Sequence, residues 1–317
     1  MGERAIIKIA SPPAGKEGSG FLVRKVIGGT LIPTWDPFLM LDHLGPVEYK
    51  PGEAVGAPDH PHRGFAIVTY VVDGGVKHQD SIGNKGLLES GWVQWMNAGR
   101  GIVHSEMPPD DMMKHGGCSE GFQLWVNLPA KDKMIAPTYQ DVPPENTPVV
   151  HENKAKIHVI AGSFRGTKST INTKIPIFLL DVHLEPGGSL SIPVSDGLNG
   201  FVYAWRGAGS LGLDKQPVHA GQVGLMSEAG RDLYIRAEDT KELRALVAAG
   251  TPIKEPVAKH GPFVMNTWEE IEEAISDYRE GRLGSIPGKE DRLRQTEAAL
   301  AMQQKNESLL LMNPSYH

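Results

Sequence analysis

The stretches "APDHPHRGFAIVTYVVDGG" (residues 57–75) and "GWVQWMNAGRGIVHSEM" (residues 91–107) decide how this chain is read. The first carries His60 and His62, the second His104 and Glu106, each pair two positions apart. Residues spaced by two on a strand point to the same side of the sheet, so each pair can aim both members into one space. The flanks read as strands. Ile67-Val68-Thr69-Tyr70-Val71-Val72 is rich in β-branched residues and stops at the turn signal Asp73-Gly74-Gly75, and Trp92–Met96 follows the turn-like Glu89-Ser90-Gly91. Curled into a small barrel, these strands would bring three imidazoles and one carboxylate together. That set suits a divalent first-row metal with positions left open for substrate or oxygen.

A plainer reading competes with this one. Among 12 His, a single H-x-H arises readily by chance, and a lone strand His is more often hydrogen-bonded structure than a ligand. Pro61 has no N–H for a ladder, which argues against a central strand but suits a rim or a bulge. The second pair, one antiparallel excursion later and with a hard oxygen donor, favours the metal.

Further motifs extend outward from this core. The run "HPHRGFAIVTYVVDGG", "HQDSIGNKG", "WVQWMNAGRGIVHSEMP", "EGFQLWVNLP" closely resembles the pirin family, a bicupin group of the cupin superfamily. "DPFLMLDHLGP" and "GPFVMNTWEEIEEAI" extend the resemblance over about residues 20–284. The resemblance implies an all-β fold of two tandem cupin β-barrels with a few short helices near the C-terminus. It also implies one iron per chain, held by His60, His62, His104 and Glu106; the ligand types alone equally admit other divalent metals. One departure is Ala66, where the family usually has Glu after "HPHRGF"; its expected effect is confined to the surroundings of the site.

Residues 20–28 and Trp35–Asp42 read as opening strands, and Gly121–Leu128, "GFQLWVNL", as another. On that strand Phe122 or Leu124 could wall a metal pocket or serve the core. Residues 129–149 hold five prolines and read as a linker. The expected domains are a metal-binding barrel over 1–146, a barrel without metal over 147–284, and a polar extension over 285–317.

The second half repeats the first weakly: Gly91, Val93 and Met96 recur as Gly221, Val223 and Met226. By this spacing His104 and Glu106 correspond to Tyr234 and Arg236, or to Ile235 and Ala237 with a one-residue slip, and His60 and His62 correspond to Pro193 and Ser195. The second metal is therefore expected to be lost, leaving His183 and His219 structural. Thr240–Ala249 has helical composition, ending at the cap candidate Gly250. Thr267-Trp268-Glu269-Glu270 is a capping box followed by Ile271, Ala274, Ile275 and Tyr278 at helical spacing. Glu290–Asn306 is polar, either a helix or disordered.

Composition narrows the function. The 317 residues allow real cores, and the abundance of Gly (37) and Pro (24) suits many turns. The single Cys118 rules out an internal disulfide and fits a reducing compartment. Net charge is −6 with basic residues scattered, so direct nucleic-acid binding is not expected. There is no membrane-length apolar run, the N-terminus lacks a secretory signal, and Pro314–His317 is no peroxisomal address. A cytoplasmic monomer is expected, open to the nucleus without a visible signal. Two functions follow from the resemblance. One is a quercetin 2,3-dioxygenase acting on a flavonol-like substrate, with Glu106 as catalytic proton acceptor. The other is an iron- or redox-dependent co-regulator that binds a transcription-factor partner.

Overall fold

In the computed structural model, residues 3–17 and 20–312 are described; Pro314–His317 lie outside them. The strand Phe65–Asp73 shows why the central run is so continuously apolar. Phe65 and Ile67 face one buried cluster, with Met96, Ile102 and Trp125. Ala66, Val68 and Tyr70 face another, with Phe122, Leu124, Phe201 and Tyr203. A strand buried on both faces needs no polar alternation. It lies in a seven-stranded antiparallel sheet, between Val93–Asn97 and Gly117–Asn127. A four-stranded sheet, ordered Ala57–His62, Ile102–Met107, Gly75–Asp80, Lys85–Glu89, completes the first barrel.

The second half forms a ten-stranded sheet system around a separate aliphatic core. Thr240–Ala249, expected as a helix, is instead largely the strand Leu243–Gly250, paired on both sides with Ile177–Leu184 and Asn199–Leu211. Its six last residues are all buried, and packing between two strands overrides the helical preference of Ala and Leu. The proline-rich 129–149 segment is no plain linker. It contains helix α2 after the short helix α1 (Asp110–His115), α2 being Ala130–Lys133, and the strand Thr138–Val142, which pairs with Val93–Asn97. Its prolines fall outside that strand, so the ladder is intact.

The expected boundaries also shift. Ile6–Ala10, assigned to the first barrel, pairs with Gln222–Met226 of the second. The 285–317 extension is not loose: from Lys289 to Met312 it is helix α4, following α3 (Trp268–Arg279). Arg292, Thr296 and Ala299 are buried against the first barrel, and polar contacts of Arg292, Thr296 and Gln303 share the docking with Ala299 and Leu300. Helix α3 starts at the expected capping box on Thr267 and Glu270. Its Ile271 and Ala274 pack with Val103, Phe263 and Met265, partly buried Ile275 and Tyr278 beside them. Among the described residues no helix is long and apolar enough to cross a membrane.

The barrels meet along a mixed apolar and polar seam. Phe38 stands edge-on to Phe201 at 5.0 Å. His43 contacts the Tyr203 hydroxyl at 2.9 Å through Nδ1 and Glu120 at 3.1 Å through Nε2. The Tyr70 hydroxyl donates to Asp181 Oδ2 at 2.9 Å, and Arg244 reaches the same carboxylate at 3.3 Å. Burial, and then the Asp181 charge, push the Tyr70 hydroxyl far above its ordinary range. Tyr70→Phe leaves one buried carboxylate oxygen short of a donor. We expect it to cost about 1–3 kcal/mol in chemical denaturation without altering the first barrel's cavity.

Candidate metal centre

The Ala57–His62 strand and the Ile102–Met107 strand are antiparallel, with Ile102 opposite His62, Val103 opposite Pro61 and His104 opposite His60. Because the pleat alternates, His60, His62 and His104 share the inner face. Pro61 is tolerated because its strand is the edge of the four-stranded sheet. The ladder then slips, and Glu106 faces Ala57.

The three imidazoles meet closely. Ring centroids are 4.3 Å apart for His60 and His104, and 4.9 Å for each of the other two pairs. One nitrogen of each lies within 4.8 Å of the others'. His60 Nδ1 lies 2.8 Å from the Pro58 carbonyl; donating there fixes the tautomer and leaves the Nε2 lone pair available. Both ring nitrogens of His104 and Nδ1 of His62 are buried with no hydrogen-bond partner. Such orphaned buried groups are rare in folded proteins and fit a bound ion. Burial, and then the neighbouring imidazoles, hold the His62 and His104 pKa values well below the ordinary 6.5. Both rings are therefore neutral at pH 7, the form that ligates a metal.

Glu106 lines the same cavity, but its carboxylate stands outside the three-nitrogen cluster. It accepts from Gln123 Nε2 at 3.0 and 3.3 Å and from the Thr69 hydroxyl at 3.3 Å. Gln123 also links to Trp125, whose indole N–H donates to Gln123 Oε1 at 3.3 Å. These partners went unread in the sequence. Strand alternation held the signal: Phe122 and Leu124 face the seam between barrels, so Gln123 and Trp125 face the cavity. Ala66 likewise faces the seam cluster and not the imidazoles, so the departure there does not touch the site.

His60 and His62 line a cavity of 370 Å³, within the size range of small-molecule sites. Its walls are mainly apolar and include Phe21, Val23, Leu44, Val55, Val76, Met107, Trp125 and Pro262. Asp42, also on the wall, is paired with Lys25 at 3.1 Å. Cys118 is only partly buried, and burial, and then Asp73, raise its thiol pKa, so it is a poor nucleophile.

The second barrel is filled differently. Ile192 pairs with Leu233 and Leu190 with Ile235, and all four are core residues. Leu190 and Ile192 thus hold the places of His60 and His62, three residues before the expected Pro193 and Ser195. Ile235 and Ala237 hold the places of His104 and Glu106. His183 pairs with Glu242 at 2.8 Å and, among the described residues, belongs to no cluster of metal-ligating side chains.

Family comparison agrees with this architecture. The pirin model matches residues 20–126, and the model of the pirin C-terminal cupin domain matches 179–284. A pirin-like protein of Solanum lycopersicum is 41% identical over 281 residues, covering 89% of this chain and 93% of that protein. The chain belongs to the pirin family. Human pirin is 40% identical, covering 84% of this chain and 90% of its own length. A crystal structure of quercetin 2,3-dioxygenase from Acinetobacter baumannii aligns with a TM-score of 0.84 at 35% identity, covering 90% of this chain and 99% of that one.

Two outcomes follow for this pirin. Replacing His104 by Ala should abolish most metal uptake, read by elemental analysis, with circular dichroism unchanged. Acid should destabilise the metal-free protein. Both imidazoles have folded pKa values below the ordinary 6.5, so between those values the unfolded chain binds more protons and stability falls as pH falls. The melting temperature should drop from pH 7 to pH 5, and His62→Phe should flatten that dependence.

Proposed function

We propose that this pirin is a metal-dependent oxygenase of the quercetin 2,3-dioxygenase type that opens flavonol rings with dioxygen. The observation that carries it is the three-imidazole cluster, two of whose members line a mainly apolar cavity that Glu106 lines as well. The likeness to the Acinetobacter enzyme supports the choice of chemistry. His60, His62 and His104 would hold the ion, iron being the choice by family, with Glu106 beside them as the fourth ligand. A bound metal supplies Lewis acidity that lowers the pKa of a substrate hydroxyl and a redox partner for dioxygen.

The protein's own groups supply the rest. The mainly apolar walls, Trp125 among them, would take aromatic rings. Glu106 is the group placed to receive the proton of the flavonol 3-hydroxyl. Gln123 and Thr69 hold its carboxylate by donated hydrogen bonds, which keeps the oxygens oriented while the proton moves.

The test is oxygen uptake by the iron-loaded protein with quercetin, followed by loss of flavonol absorbance and release of carbon monoxide. Glu106→Gln should lower turnover by about 10²–10⁴-fold while most iron stays bound. Unchanged turnover in that variant would remove Glu106 from proton transfer. A loaded wild-type protein that consumes no oxygen with any flavonol would overturn the dioxygenase reading.

A further inference from the structure

The strand that carries His60 and His62 is poorly secured by its own sheet. It is an edge strand whose one ladder neighbour among the described residues is Ile102–Met107. Pro61 gives that ladder no donor, and the register breaks between His104 and Glu106. A metal site nonetheless needs its ligands held within about 0.5 Å. The outer face of the strand shows what supplies the restraint. Asp59 and Arg63 bracket the two histidines, and each is tied to a different C-terminal helix.

Asp59 receives both arms of Arg292 from α4, at 2.6 and 2.9 Å. The two side chains are only 3% and 10% exposed, so this is an interior pair. Arg292 is itself anchored by donating to the carbonyls of Pro287 and Ile286. On the other side Arg63 donates to Asp277 of α3 at 2.5 Å and to the Arg100 carbonyl at 2.6 Å. Helix α4 follows the approach to the strand with Thr296 on the Gly56 carbonyl and Gln303 on the Glu53 carbonyl. Helix α4 lies beyond residue 284, where the family match ends.

We infer that Arg292 and Asp277 are positioning residues for the metal site: they bolt the His60–His62 strand from outside and replace the second neighbouring strand it lacks. The inference rests on the metal reading above. The planar fork of Arg292 matters, because only a bidentate contact fixes both the place and the tilt of Asp59.

Cobalt(II) is the probe, since its visible spectrum reports coordination geometry without any turnover. The full-length protein, loaded with cobalt, is challenged with excess chelator, and release is timed. Arg292→Gln and Asp277→Asn should each release cobalt about 10-fold faster or more and change the spectrum at saturating metal, with circular dichroism unchanged. A merely structural role would lower the melting temperature of the metal-free protein and leave that spectrum as it was. Arg294→Gln, which removes an exposed pair with Asp291 on the same helix, should release at the wild-type rate. Should Arg292→Gln fail to fold, Arg292→Lys decides: release faster than wild type supports the bolt, and the wild-type rate overturns it. Wild-type rate and spectrum in both the Gln and Asn variants would also overturn it while leaving the metal site standing. A wild-type protein that takes up no cobalt, iron or nickel would overturn the metal reading and this inference with it.

Discussion

The antiparallel pairing of Ala57–His62 with Ile102–Met107 is the constraint on which the site depends. It sets His60 opposite His104 and places His62 two residues along the same face. A shift of one residue would turn all of these side chains outward, because the strand period is two. The cost is borne locally: three imidazoles are crowded together, with nitrogens of His62 and His104 left unpartnered in the interior. Desolvation and mutual repulsion keep His62 and His104 unprotonated, which prevents the cluster from being forced apart by like charges.

The rest of the molecule can be understood as support for that crowded interior. The middle strands of the seven-stranded sheet are buried on both faces, so they separate the cavity from the second barrel and are braced by it. The second barrel fills its own interior with aliphatic side chains and contributes packing along the seam. Polar groups pair across that seam: His43 joins Tyr203 and Glu120, and Asp181 gathers Tyr70, Trp205 and Arg244. Matched buried polar groups fix the relative placement of two surfaces more sharply than apolar contact alone.

The position of Glu106 gives the site its chemical asymmetry. The three imidazoles form a close cluster, while the carboxylate is tethered by an amide and a hydroxyl. Neutral donors of this kind stabilise a carboxylate without neutralising it, so it remains a base and a potential ligand. A second cation at that point would have tied the carboxylate into an ion pair instead.

Much of this was legible in the sequence for a physical reason. Period-two spacing names the residues that share a face, so His60, His62, His104 and Glu106 could be grouped before any contact was known. Long apolar runs and turn signals likewise indicated an all-β chain of two related halves. The sequence could not say which face each strand turns to the cavity: Gln123 and Trp125 or Phe122 and Leu124 is a choice made by packing against the second barrel. Nor could local composition reveal that Leu243–Gly250 is a central strand, since burial between two neighbours outweighs the helix preference of its residues. The polar α4 was opaque for the opposite reason. Its docking uses Arg292, Thr296 and Gln303 beside the short apolar contact of Ala299 and Leu300, and a partner for a polar side chain exists only once the tertiary structure has brought it near.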